Sequence, residues 1–300
     1  MPALALSVLA VLLSGPVPAL LARAEGIRRA PRAAMVLWQA VALAAVLSAL
    51  GATLAVLTIA LPGDDLRWYD LPAVVVGLTT TAVVLGRLLL TGHVVGTRLR
   101  GVRRRHRELL DLTAEEDDGV LVVDGGTPVA WCVPGLARGR VVISRGAVEQ
   151  LAAEERAAVV AHERAHLDAR HDLVLEAFTV LHQAFPRWVS SAQALREVRL
   201  LTEVLADQAA RRRHGAATLG RALMALTERD PTAAGAPAPG RSGVVLVAGG
   251  SQLLVRVGLL QDDRPHRLLA SGLLALAVAV LVLPTVLVVV PWLTSVAAAT

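Results

Sequence analysis

Aliphatic residues dominate four long stretches of the chain, in which charged side chains are rare. These stretches cover residues 3–22, 33–61, 71–90 and 268–293. A helix needs ~20 consecutive apolar residues to cross a lipid bilayer, and each stretch is long enough to do so. The pattern therefore predicts four transmembrane helices, three before a long polar segment and one after it.

The first stretch could also be the apolar core of a cleaved signal peptide. A signal peptide carries basic residues before its apolar core. Here the arginines follow the core instead, beginning with Arg23. We therefore favour a retained membrane span over a cleaved signal.

Short β-branched runs and longer helical patterns alternate in the polar segment between the third and fourth spans. The β-branched runs are bounded by Gly, Asp or Pro and predict strands at 120–123, 129–133 and 141–143. The helical patterns predict helices at 148–182, 188–213 and 253–260. Residues 230–243, which are rich in Pro, Ala and Gly, predict a flexible loop.

These elements together predict an α+β membrane protein built from three parts. Three spans form a membrane domain at residues 1–91. A mixed domain of ordinary single-domain size occupies residues 92–267. The fourth span and a short tail complete the chain at residues 268–300.

The arginines predict how the chain is oriented in the membrane. Basic residues follow the first span, among them Arg28, and six arginines follow the third span within residues 98–107. The loop between the second and third spans instead contains acidic residues, including Asp64 and Asp65. Because basic residues favour the cytoplasmic side, we expect residues 92–267 in the cytoplasm and both termini outside.

The composition agrees with this picture and excludes some kinds of chemistry. Hydrophobic residues make up 55% of the 300 residues, and the chain has a net charge of +5 without a single Lys or Asn. That bias indicates a GC-rich, bacterial genome. A basic chain can bind nucleic acid, but arginines beside apolar runs are better explained by contact with the lipid bilayer, so we expect no direct nucleic-acid binding. The single cysteine, Cys132, excludes an internal disulfide and a cysteine-rich metal site.

The sequence His162-Glu163-Arg-Ala-His166 lies within the first of the predicted helices. Residues four apart share one helical face, so both imidazoles can reach a single metal ion. A neighbouring glutamate in this motif does not bind the metal but accepts a proton from the attacking water. The motif therefore predicts a Zn²⁺ site with His162 and His166 as ligands and Glu163 as the general base.

A catalytic zinc ion needs a third protein ligand and one open position. The next predicted helix offers Glu203, followed by Asp207 one turn later. A carboxylate such as Asp207 is suited to orienting a metal-binding histidine. His-Glu-x-x-His also occurs by chance, with both histidines on the surface of an ordinary helix, but the helical context and the following Glu and Asp favour the metal site.

These motifs resemble the integral-membrane metallopeptidases of family M56, which include beta-lactam sensor-transducers, and more distantly those of family M48. The resemblance covers about residues 120–260 and the arrangement of three spans before the domain and one after it. It rests on His162-Glu163-x-x-His166, Glu203-x-x-x-Asp207 and the segment from Ala130 to Gly135. The segment beginning at Arg256 is similar to a further part of the family.

The resemblance implies a gluzincin-type zinc endopeptidase. It implies His162, His166 and Glu203 as the zinc ligands, Glu163 as the general base and Asp207 as the support of a ligating histidine. It also implies that the substrate is a cytoplasmic protein, either a transcriptional repressor or the chain itself. Sensor-transducers of the family continue into an extracellular ligand-binding domain, whereas this chain ends a few residues after its last span. We therefore expect no beta-lactam sensing.

Two other functions remain open at this point. One is a protease of membrane-protein quality control, and the other is a membrane sensor that keeps the fold without catalysis. Glu163 argues against the sensor, because a chain that only binds has no need of the base.

Several further residues have less specific roles. His266, Arg256 and His214 could stabilise an oxyanion, and Trp131, in a strand that the resemblance places beside the active-site cleft, could contact a peptide substrate. We expect His171 and Asp172 to orient other groups or lie on the surface, and Cys132 to pack in the interior.

Overall fold

The computed structural model of the protein describes residues 2–60, 71–135, 139–185, 192–228 and 251–299. Within these ranges the fold is mostly helical, with one small sheet. The described chain separates into two compact units. Unit 1 consists of residues 1–93, 178–198 and 266–300, and unit 2 of residues 94–177 and 199–265. The division into domains predicted from the sequence stays a prediction.

Unit 1 contains the long apolar helices. They are α1 (Pro2–Ser14), α2 (Pro16–Arg23), α3 (Pro31–Ala60), the first part of α4 (Leu71–Thr113) and α11 (Arg267–Ala299). Taking α1 and α2 as one span, four segments of the described chain are long and apolar enough to cross a membrane, as the hydrophobic pattern predicts. A break at Gly15 divides the first of them, where Pro16 cannot donate a helical hydrogen bond.

Helix α3 is the centre of unit 1 and packs against α1 and α11. Leu6 and Trp38 are almost completely buried in this packing. Gly51 lets α11 come close, since a Cβ at this position would lie 3.1 Å from a methyl carbon of Val288. Close approach at small residues is typical of helices that associate within membranes.

Unit 2 contains a four-stranded sheet. Its strands are β1 (Glu115–Asp117), β2 (Val120–Val123), β3 (Ala130–Val133) and β4 (Arg140–Ser144), in the order β1-β2-β4-β3. Strands β2 and β4 are parallel, and the other two pairs are antiparallel. Strand β1 was not predicted from the sequence. It is joined to β2 by Asp118 and Gly119, which both have positive φ and suit a tight hairpin turn.

A short 3₁₀ helix at Glu25–Arg29 and six further α-helices complete the described part of the chain. The six α-helices are α5 (Arg145–Gln150), α6 (Ala153–Asp168), α7 (His171–Ala184), α8 (Ala192–His214), α9 (Ala216–Glu228) and α10 (Ser251–Leu260). Helix α9 was missed by the sequence reasoning, and the loop predicted at 230–243 lies outside the described residues. Helices α4, α7 and α8 contribute residues to both units.

The single helix predicted at 148–182 is wrong, because the structure divides this segment into three helices. Leu151 and Ala152 are extended, and the carboxylate of Glu155 accepts the backbone N–H of Ala152, which starts α6. Arg170 has φ of 50°, in the left-handed region, and lies in the break between α6 and α7. These two breaks make α6 a separate helix, so its direction is not set by continuation of α5 or α7.

The core of unit 2 holds α6 between the sheet and the later helices. Ile143, Ala147 and Val159 form a buried cluster with Ala222 of α9. On another side, Ala158 and Ala161 of α6 pack with Leu219 and Leu260. The helix that carries the His-Glu-x-x-His sequence is therefore fixed by contacts on several of its faces.

Candidate metal centre

His162 and His166 project from one face of α6 toward the same point. Their Nε2 atoms lie 3.2 Å apart, and the two rings meet edge to face with centroids 4.9 Å apart. His162 is 5% exposed and lies at the centre of the packed part of the helix. The spacing of four residues has produced the paired imidazoles that the sequence predicts.

Glu203 of α8 closes the group from the opposite side. One carboxylate oxygen lies 3.5 Å from His162 Nε2, and the other lies 3.5 Å from His166 Nε2. The three donor atoms all lie within 4.8 Å of one another. A tetrahedral zinc ion with bonds of ~2.0–2.1 Å separates its ligand atoms by roughly 3.4 Å. The donor set and its spacing therefore fit zinc.

Asp207 and Arg256 contact the residues of this donor group. Asp207 Oδ1 lies 2.9 Å from His162 Nδ1, on the side of the ring away from Glu203. The guanidinium of Arg256 donates from Nε and one terminal nitrogen to the two oxygens of Asp207, each at 2.7 Å. Its other terminal nitrogen lies 3.2 Å from Glu203. Asp207 and Arg256 are each about 98–99% buried, so little water screens these charges.

The charges of the site shift the pKa values of its members in opposite directions. Burial disfavours the charged form of His162, but the hydrogen bonds and charges of Asp207 and Glu203 outweigh it and raise its pKa to about 10. Burial lowers the pKa of His166 to about 4. Burial alone would raise the pKa of Glu203, yet the neighbouring His166 and Arg256 hold it far below its usual range. The site therefore stabilises an ionised Glu203.

Glu163 interacts with His162 and with Cys132 of strand β3, and it does not belong to the group of three donor atoms. Burial, together with the charge of Glu203, raises the pKa of this carboxyl group above its usual value. Cys132 of β3 is its neighbour, and the pKa of the Cys132 thiol is raised by burial and then by Glu163. Cys132 is half-buried and its thiol stays protonated, which agrees with a packed residue.

A cavity of about 170 Å³ opens beside the group of donor atoms. His162, Glu163, His166, Glu203 and Arg256 line its polar side. Its apolar side is formed by residues of β3 and of helices α6, α7, α9 and α10: Ala130, Val159, Leu175, Leu223, Leu226 and Leu253. Strand β3 pairs only with β4 in this sheet, so its other edge faces no strand among the described residues.

The residues predicted to contact the substrate or an oxyanion do not all line the cavity. Trp131 lines the cavity, although its side chain packs against Leu110, Val133 and Val142. His266 belongs to unit 1 and is not among the residues lining the cavity. Every nitrogen of the Arg256 guanidinium faces a carboxylate oxygen. The oxyanion role of these residues stays a prediction.

His171 and Asp172 are both buried, with His171 only 5% exposed. His171 Nδ1 lies 3.0 Å from His166 Nδ1, and burial lowers the pKa of His171 to about 4. Asp172 has Arg103 at 3.5 Å and Arg170 at 3.4 Å. The sequence allowed an orienting role for both residues, and its only signal for their burial was their closeness to the motif.

Comparison with known proteins identifies part of the chain. Residues 99–230 match the model of peptidase family M48. No curated protein and no solved structure matches the chain. The match covers less than half of the chain and supports a peptidase domain of this family there, with a protease activity. The more distant of the two resemblances is thus supported, while family M56 stays a prediction.

Proposed function

We propose that this protein is a membrane-bound zinc endopeptidase of the gluzincin type. The observation that carries the proposal is the group of three donor atoms from His162, His166 and Glu203, at separations that suit a tetrahedral ion, with Glu163 beside it. The match of residues 99–230 to peptidase family M48 supports the same activity. Within the described part of the chain, four segments that are long and apolar enough to cross a membrane support its placement in a bilayer.

In peptide hydrolysis the three ligands hold the metal ion and Glu163 transfers the protons. A bound zinc ion would polarise the scissile carbonyl and lower the pKa of a water ligand to ~7. Glu163 takes up the proton of the attacking water and returns it to the leaving amine. A buried carboxyl group with a raised pKa suits both steps, because a general base and acid works best when its pKa is close to the working pH.

The substrate we propose is an extended segment of a protein. Strand β3 lies beside Glu163, and its outer edge pairs with no strand of the described chain, so a peptide can add to the sheet there by backbone hydrogen bonds. Such pairing is independent of side chains and suits a polypeptide of varied sequence. The apolar side of the cavity, including Leu223 and Leu253, favours an apolar side chain next to the scissile bond.

Zinc content and activity test the proposed function directly. We expect the purified protein to contain about one zinc ion per chain, as a single catalytic site requires. Treatment with 1,10-phenanthroline should abolish cleavage of a denatured protein such as casein, and added zinc should restore it. Metal analysis and gel electrophoresis give both readouts. A purified protein that lacks zinc and cannot take it up would disprove the metalloprotease.

The orientation we propose places the catalytic side in the cytoplasm, since arginines within residues 98–107 follow the third span and Asp64 and Asp65 precede it. In a Cys132→Ala background, a cysteine at Asp65 should react with a membrane-impermeant maleimide in intact bacterial cells. A cysteine at Glu108, a position whose side chain is 58% exposed, should react only after lysis. The reverse pattern would contradict the orientation.

The biological role we propose is cleavage of a transcriptional repressor or of the chain itself, as the resemblance to family M56 implies. Quality control of membrane proteins is the alternative. Self-cleavage is the simplest of these to examine, because it needs no second protein. Zinc-loaded protein should then produce fragments. If the first-order rate constant of their formation does not depend on protein concentration, the cleavage occurs within one chain.

A further inference from the structure

His171 lies directly behind one of the two histidines of the metal centre. Helix α6 ends at Asp168, and Arg170, with its φ of 50°, turns the chain so that α7 begins at His171. This turn returns His171 to the ring of His166, where the two rings meet edge to face with centroids 4.9 Å apart. His171 is 5% exposed, so its position is fixed by the packing around it.

The contact between the two rings joins their Nδ1 atoms at 3.0 Å. One of these nitrogens must donate a proton to the other, since a neutral imidazole has one N–H and one lone pair. His166 Nε2 faces His162 and Glu203 and would supply its lone pair to a zinc ion, which leaves the proton of His166 on Nδ1. His171 Nδ1 is then the acceptor, and the proton of His171 is on Nε2.

A different role for His171 would be that of third metal ligand, in place of Glu203. The geometry argues against it, because His171 Nδ1 contacts Nδ1 of His166, whereas the other ring nitrogen of His166, Nε2, is the one that faces His162. Among the described residues, the group of donor atoms within 4.8 Å of one another consists of His162, His166 and Glu203. His171 therefore acts on the metal only through His166.

We propose that His171 is a positioning residue of the metal centre, whose Nδ1 accepts the Nδ1–H of His166 and fixes the tautomer and ring orientation in which His166 binds zinc. The inference rests on the proposed function. It makes the two histidines unequal, because His162 is backed by the charged carboxylate of Asp207 and His166 by a neutral imidazole. A carboxylate raises the basicity of its histidine more than a neutral acceptor does.

The experiment compares two nearly isosteric replacements, His171→Asn and His171→Leu, in the full-length protein in detergent. The amide oxygen of Asn can lie near the position of Nδ1 and accept the same proton, whereas Leu cannot. We measure the zinc dissociation constant by competition with a chelator of known affinity. His171→Leu should weaken zinc binding by about 10–100-fold, the usual effect of losing the partner of a ligating histidine. His171→Asn should remain near the wild type.

A spectroscopic measurement separates positioning from general packing. In cobalt-substituted protein, the visible absorption bands report the geometry of the ligands, and they should change in His171→Leu but not in His171→Asn. If the His171→Leu chain does not fold, His171→Gln takes its place with the same expected loss, since its amide reaches the position of Nε2 instead. Rescue by Asn is the result that a merely structural role would not give.

Two results would overturn the inference without touching the proposed function. One is a wild-type protein that binds zinc and a His171→Leu protein that binds it equally well. The other is an equal loss of zinc affinity in the Asn and Leu variants, which would reduce His171 to a packing residue. A wild-type chain that binds no zinc would instead disprove the proposed function itself.

Discussion

Replacing Glu163 with Gln is expected to lower the rate of peptide hydrolysis by about 10²–10⁴-fold, the range that general-base catalysis supplies, while the zinc content stays unchanged. Gln keeps the size of the side chain and one acceptor oxygen but cannot take up a proton. The three donor atoms belong to His162, His166 and Glu203, so the metal loses no ligand. Cleavage of a fluorogenic peptide, together with metal analysis of the same preparation, measures both quantities.

The matched control is Glu154→Gln, on the same helix but exposed and in its first turn, before the ligands His162 and His166. This variant should cleave at the wild-type rate, which separates loss of the base from a general change in the charge of α6. Cleavage that survives Glu163→Gln would disprove the assigned base. Loss of zinc in that variant would instead show that Glu163 contributes to holding the metal.

The parts of the molecule that follow a periodic pattern were predictable from the sequence. Apolar stretches of sufficient length predict the four helices that could span a membrane, because only length and composition matter there. The pairing of His162 with His166 follows from helical geometry alone. Glu203 and Asp207 were also found, since they too lie four residues apart on one predicted helix.

The contacts that join distant residues left no comparable signal. Arg256 reaches Asp207 across 49 positions, and no spacing rule relates the two. The break between α6 and α7 was missed because Arg170 adopts a positive φ without the Gly or Asn that usually marks such a turn. Continuing the helical pattern through this residue placed His171 in one long helix with His166, which hid the contact between their rings.

Replacing Arg256 with Met is expected to destabilise the fold by about 3–5 kcal/mol, the usual cost of removing one partner from a buried ion pair. The guanidinium is 2% exposed and contacts both Asp207 and Glu203. Its loss leaves two buried carboxylates with less compensation. The midpoint of unfolding in detergent, followed by loss of helical circular dichroism, measures the effect. Arg256→Lys should recover little, because a single ammonium cannot reproduce the paired hydrogen bonds.

A double variant separates the stability of this ion pair from its role at the metal. Replacing Arg256 with Met and Asp207 with Leu removes both charges, so most of the lost stability should return, since buried ion pairs are often replaced by apolar residues at little cost. Zinc affinity should nevertheless stay about 10–100-fold below the wild type, because His162 has lost the carboxylate that orients it. Recovery of zinc affinity along with stability would contradict the orienting role of Asp207, and it would mean that His162 is held by the packing of α6 alone.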